Sequence, residues 1–247
     1  MIESHTLYVA WQNPDSRRWF PIARLHKETG HYSFCYLRGA EQAGGSGFSA
    51  LIPFPDLHKT YESNELFPLF QNRLLPRSRP DYEQHMSRLD LSPEQNDPLV
   101  ILGRNGGRRV TDSLEVFPAP FRSPEGRYRV HFFAHGLRHL PPESTTTVST
   151  LQRMERLLLC YDVQNPTDSN AILLRTQAGQ LVGWTPRYLC HDLKEVCDRY
   201  DHEPIVSVVR VNPHPAPLGQ RLLCKLDANW PDGFMPFSTP EYESLAR

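Results

Sequence analysis

The stretch from Asn165 to Leu189, NPTDSNAILLRTQAGQLVGWTPRYL, holds a close grouping of side chains that could do chemistry. Asn165, Asp168 and Asn170 surround Pro166 and Thr167. Asn and Asp side chains bond to backbone amides two residues on, and proline fixes its own φ, so NPTDSN reads as a tight turn. AILLRT leaves it as a strand, QAGQ with Gly179 is hairpin-like, and LVGW returns. Gly183 lacks a side chain, so another group can approach the backbone there. Thr185 and Pro186 suit the cap and first position of a helix, which continues with Leu189, Leu193, Val196 and Tyr200 on one face. A helix start offers free N–H groups and partial positive charge to an anion. Arg187 in the first turn can add a bidentate phosphate contact, and Trp184 can offer a ring to a base. The same residues also have a purely architectural reading. Trp184 would then pack the hairpin onto the helix, with Arg187 in solvent.

Other chemistry is less well supported. His131, His135 and His139 recur every four residues, but VHFFAHGL reads as a strand, and there is no Cys-x-x-Cys or His-Glu-x-x-His pattern. No metal or other cofactor is expected. AGGSG, residues 43–47, reads as a flexible loop and lacks the Lys-Ser/Thr ending of a phosphate loop. No Gly-x-Ser-x-Gly motif occurs, and Cys190 next to His191 does not make a nucleophile and base. Asp81, Glu83, Asp90 and Glu94 read as a solvated helical face. No catalytic site emerges, and the chain is expected not to be an enzyme. Six arginines between residues 103 and 129 (104, 108, 109, 122, 127 and 129) form the densest basic stretch, either a solvated connector or part of a nucleic-acid track.

The elements that must position these groups follow from composition and pattern. The 247 residues allow one large domain or two ordinary ones. Net charge is -1, so the overall field says little about partners. Only four of the 27 basic residues are lysine, and arginine suits planar phosphate recognition. The five cysteines are scattered and odd in number, which suits free thiols in a cytoplasmic protein. No apolar run is long enough for a membrane span, and no secretory signal is visible. Residues 6–12, 19–26, 30–37 and 48–54 read as strands. NELFPLFQNRLLP, RPDYEQHMSRLDL and SPEQNDPLVILG read as helices, the last with cap candidates Ser92 and Asp97. Residues 103–129 read as a connector, with a boundary near residue 120. Six short apolar runs around one helix then predict a small, strongly bent sheet or barrel.

The order N-P-x-D-x-N-A-I, strand, G-x-x-V-G, short helix resembles the HIRAN domain. Asn165, Pro166, Asp168, Asn170, Ala171, Ile172, Gly179, Val182 and Gly183 carry the resemblance, and HGLRHLP at 135–141 looks like that family's Gly-Leu-Arg segment on its first strand. It spans about residues 127–230. It implies a small β-barrel related to OB and SH3-like barrels, used in one member to hold the 3′ end of single-stranded DNA. By the same resemblance Arg138 and Arg187 meet phosphate, Asp168 accepts from the terminal hydroxyl, and Asn165 and Asn170 shape the loop. Trp184 stands where the family can have His. Thr167 and His139 depart from that pattern, standing where the DNA-binding member has aromatic residues. GHYSFCYL, LIPF and NELFPLFQNRLLP resemble the N-terminal subdomain of HipA-type kinases, a packing module without catalytic residues; no kinase body follows.

The expectation is therefore an α+β protein of two parts. Residues 1–120 form an interaction module and residues 121–247 a HIRAN-like β-barrel domain. Its expected function is non-catalytic binding of single-stranded DNA 3′ ends, in DNA repair or phage defence. The alternative is a protein-interaction module, docking through its N-terminal half, that regulates a separate toxin-like kinase or nuclease.

Overall fold

The computed structural model describes residues 5–92, 94–166, 168–199 and 204–246. Thr167 and Tyr200, both named above, lie outside them. In chain order the elements are β1 (His5–Gln12), β2 (Trp19–Glu28), β3 (His31–Tyr36), α1 (Arg38–Gly44), β4 (Tyr61–Ser63), α2 (Pro68–Gln71), α3 (Tyr82–Arg88), α4 (Pro98–Asn105) and β5 (Leu114–Pro118). They continue as β6 (Phe121–Arg122), β7 (Arg127–Phe133), α5 (Pro142–Thr150), β8 (Arg156–Tyr161), β9 (Ile172–Arg175), β10 (Leu181–Trp184), α6 (Arg187–Arg199), β11 (Ile205–Val211) and β12 (Leu222–Asn229). Among the described residues no helix is long and apolar enough to cross a membrane.

The chain divides into two units that interleave along the sequence. One takes the residues up to Glu83, then Ser92–Ala119 and the segment from Phe237 onward; the other takes Gln84–Leu91 and Pro120–Pro236. Two consecutive segments, 1–120 and 121–247, do not describe them. Among the described residues each unit has one antiparallel sheet, in the orders β4-β3-β2-β1-β5 and β10-β9-β8-β11-β12-β7-β6.

In the first unit, Pro21 sits opposite Ala10 where the β1–β2 register shifts, the place where a strand tolerates a residue without an N–H. The small residues read as a flexible loop partly belong to α1. Gly39, Ala40 and Ala43 are buried, and a Cβ on Gly39 would stand 1.9 Å from the Pro21 carbonyl oxygen. Small side chains let this helix lie directly on β2. Residues 48–54 are not a strand. The buried Tyr36 hydroxyl holds them instead, accepting from Leu51 N–H (2.7 Å) and donating to the Phe54 carbonyl (2.8 Å). The expected connector at 103–129 contains β5, an edge strand of this sheet, whose Val116 N–H bonds to the Gly106 carbonyl. Of the two cap candidates, Asp97 caps α4 through Leu99 N–H (2.8 Å), with Pro98 following it.

In the second unit alternate residues point inward. Tyr128, Val130, Leu157, Ile172, Val206 and Leu226 meet Leu189, Leu193 and Val196 of α6 in one core. The α+β class expected from sequence is what forms. The sheet is not closed into the small β-barrel that was expected: its strand ladder is open, with β6 and β10 at its edges. A single bridge joins His135, just past β7, to Trp184 of β10. Gly136 follows with φ +73°, which turns the chain out of extended conformation and ends the pairing. HGLRHLP accordingly forms a 3-10 turn at Leu137–His139, not a strand.

Candidate nucleic-acid interface

The turn leading into β9 is built by short polar side chains bonding to nearby backbone. Asn165 Oδ1 accepts from Asp168 N–H (3.1 Å), and Asp168 Oδ1 accepts from Asn170 N–H (3.0 Å). Asp162 N–H reaches the Ala171 carbonyl (2.9 Å), closing the base of the turn. Thr167 is outside the described residues.

Three connections tie this turn to its surroundings. Asp162 Oδ2 accepts from Asn165 Nδ2 (2.8 Å) and from Trp184 Nε1 (3.0 Å). Asp168 Oδ2 lies 2.9 Å from Arg187 Nε at the start of α6. His135 and Trp184 exchange two backbone bonds, of 2.9 and 3.0 Å. The Trp184 ring covers Gly136, where an added Cβ would stand 2.4 Å from Trp184 Cε3. Of the expected residues, Asn165, Asp168, Asn170, Trp184 and Arg187 are thus joined by these contacts, with Asp162 linking the turn to Trp184, while Arg138 and His139 bond to each other on the adjoining 3-10 turn.

Not every expected role fits equally. Trp184 lies over Gly136 and donates its N–H to Asp162, so its contacts here are with the 3-10 turn and the polar turn rather than with the helix that the architectural reading named. Arg187 does not simply face solvent. Its side chain is 41% exposed, while Asp168 is only 14% exposed. A carboxylate has about four lone-pair sites, and here one oxygen bonds a backbone N–H and the other faces Arg187. Capacity remains for a hydroxyl donor. A guanidinium has four N–H donors besides Nε, and these suit phosphate. Acceptor and cation side by side can hold a hydroxyl next to a phosphodiester.

Arg138 and His139 are exposed on the 3-10 turn, with Arg138 Nε donating to His139 Nε2 (2.9 Å). Thr185 is buried, its hydroxyl near Cys190 Sγ and the Ile172 carbonyl, both 3.5 Å away. Burial pushes the Cys190 thiol up to about 11 against the Thr185 bond, as for a protonated core thiol. The evenly spaced histidines separate. His131 lies in β7, His135 in the bridge and His139 on the turn. Among the described residues no group of three His, Cys, Asp or Glu is placed to hold a metal.

Asp162 is the residue that sequence reasoning missed. It accepts from both the turn and the tryptophan through its side chain, and nothing in the local pattern marks it.

The HIRAN domain family model matches residues 128–229, which contain this site. A solved protein from Lactobacillus plantarum is 22% identical over 42% of this chain and 97% of its own, with a TM-score of 0.34. The solved HIRAN domain of human HLTF is 21% identical over 42% of this chain and 74% of its own, with a TM-score of 0.32. No curated protein matches.

Proposed function

We propose that this protein binds nucleic acid without catalysis, and that its second unit recognises the 3′ end of single-stranded DNA in DNA repair or phage defence. The family match over residues 128–229 supports the nucleic-acid class. The observation that carries the finer reading is the Asp168–Arg187 pair, an acceptor for a terminal hydroxyl beside donors for the adjacent phosphate. Arg138, exposed on the 3-10 turn, supplies a second cation. Departures at Thr167 and His139 remove stacking platforms worth about 1–3 kcal/mol per base. Affinity is therefore expected to lean on hydrogen bonds and charge. The rival reading needs a contiguous apolar patch on the first unit. Among its described residues the exposed large apolar side chains are Ile52 and Val110, in separate loops, which favours the nucleic-acid reading.

The test is fluorescence anisotropy with short labelled single strands ending in a 3′-hydroxyl or a 3′-phosphate. Tighter binding of the hydroxyl end is expected, with that preference lost in Asp168→Ala and overall affinity reduced in Arg187→Gln. Thermal unfolding of both variants separates a broken contact from a broken fold. Equal binding of the two ends by the wild type removes the end-reading role from this pocket.

A further inference from the structure

The outward face of the second unit's sheet carries a separate set of charges. Cross-strand register places Arg156 of β8, Ser207 of β11, Lys225 of β12 and His131 of β7 in one row. The next row holds Ile205, Asp227, Arg129 and Phe121 of β6, followed by Asn229 opposite Arg127. The intervening residues Val206, Leu226, Val130 and Tyr128 face the core, so these two rows face outward. On these paired strands four permanent cations stand against the carboxylate of Asp227, and Glu125, in the turn before β7, makes a second pair with Arg129 (3.2 Å).

Asp227 holds three of the cations in place. Its oxygens lie 2.5 Å from Arg127 Nε, 2.7 Å from Arg129 Nε and 3.5 Å from Lys225 Nζ. Burial works to raise its carboxyl, and hydrogen bonds from Arg129 and Arg127 outweigh that, holding it below the usual carboxylate range. It stays ionised at neutral pH and fixes the cations without cancelling them. Arg127, Arg129 and Lys225 remain 28%, 31% and 34% exposed.

We infer that this sheet face is a second binding surface, a track for the phosphate backbone of single-stranded nucleic acid. Strands about 4.8 Å apart spread the cations over roughly 14 Å from β7 to β8, more than one small anion covers. Arginine forks match phosphate geometry. Phe121, 57% exposed at the end of a row, offers a ring on which a base can stack. The proposal takes the class of partner from the reading above, but none of the pocket residues.

The experiment measures binding of the full chain to a single strand of about 20 nucleotides and to one of about 4, across a salt series. Arg129→Gln with Lys225→Gln is expected to weaken the long strand roughly 5- to 20-fold at low salt. The log–log salt slope should become shallower by about 1.4, because two phosphates of the single strand are no longer neutralised. The short strand should change less than about twofold. Lys225→Gln with Arg156→Gln, which leaves both arginines on Asp227, is expected to act in the same direction and guards against misfolding of the first variant. An unchanged slope in folded variants overturns the proposal. So does displacement of the long strand by polyglutamate as effective as by unlabelled DNA of equal charge. If Asp168→Ala has no effect while the face variants act, the end-reading pocket fails and the track stands; the reverse pattern sinks the track alone.

Discussion

Gly136 makes the closest approach in the candidate site, and its cost can be separated into parts. Its φ of +73° lies in the left-handed region, where a residue with a Cβ loses about 1–2 kcal/mol. The Trp184 ring adds a second penalty, since a Cβ would stand 2.4 Å from it and the ring is held by Asp162. Forced overpacking costs about 1–3 kcal/mol more. Gly179 has a similar φ, +85°, with nothing within 4 Å of its Cβ position. Gly136→Ala should therefore destabilise by about 2–5 kcal/mol and Gly179→Ala by about 1–2 kcal/mol, read from urea unfolding. Equal costs would mean that Trp184 does not sit on the Gly136 backbone. At this scale the sequence displayed the polar turn well, because Asn and Asp act on backbone within a few residues. It did not display the tryptophan's partner. Whether an indole offers its face to a base or to a glycine depends on a contact 48 positions away (184 minus 136), and nothing local encodes it.

Elements were legible where periodicity ran with burial, and illegible where small or polar residues did the packing. The stripe Leu189, Leu193, Val196 announced α6. The alanines and glycine of α1 announced nothing, since their role is to be small against β2. In PESTTTVST the apolar anchor of α5 is one residue, Val148, with Leu151 just beyond it. The segment 84–91 is a further case, held in the second unit by side chains of β11 and the residue after it. Asn212, buried, donates from Nδ2 to the carbonyls of Arg88 (2.9 Å) and Gln220 (2.7 Å), while Arg210 Nη2 reaches Ser87 Oγ (2.8 Å). A typical intramolecular hydrogen bond contributes about 0.5–1.5 kcal/mol. Asn212→Ala removes two of them and should destabilise by about 1–3 kcal/mol, with amide exchange rising over residues 84–91 before the rest of the unit. Unaltered protection over 84–91 would show that Asn212 does not hold the segment.

At the scale of the whole chain, strand content and class followed from local pattern, while the interleaving of units did not. A segment that docks far from its neighbours in sequence carries no local mark of doing so. The C-terminal residues return to the first unit, where Leu245 N–H bonds to the Tyr36 carbonyl and Arg38 N–H to the Glu243 carbonyl, both at 2.9 Å. Phe237 is buried, its ring 4.9 Å from those of both Tyr8 and Tyr242. Full burial of such a side chain contributes about 1.5–3 kcal/mol, and each backbone bond about 0.5–1.5 kcal/mol. Loss of the segment therefore removes roughly 3–6 kcal/mol from a unit whose total stability is of the order of 5–15 kcal/mol. The second unit ends at Pro236 and keeps its own core, Phe234 included. Ending the chain after Pro236 should then split unfolding into two transitions, the first unit melting early and the second near its original midpoint. The tryptophans report them separately, since Trp11 and Trp19 lie in the first unit and Trp184 and Trp230 in the second. A single transition shifted as a whole would mean that the two units unfold as one cooperative body, and that the returning tail stabilises both.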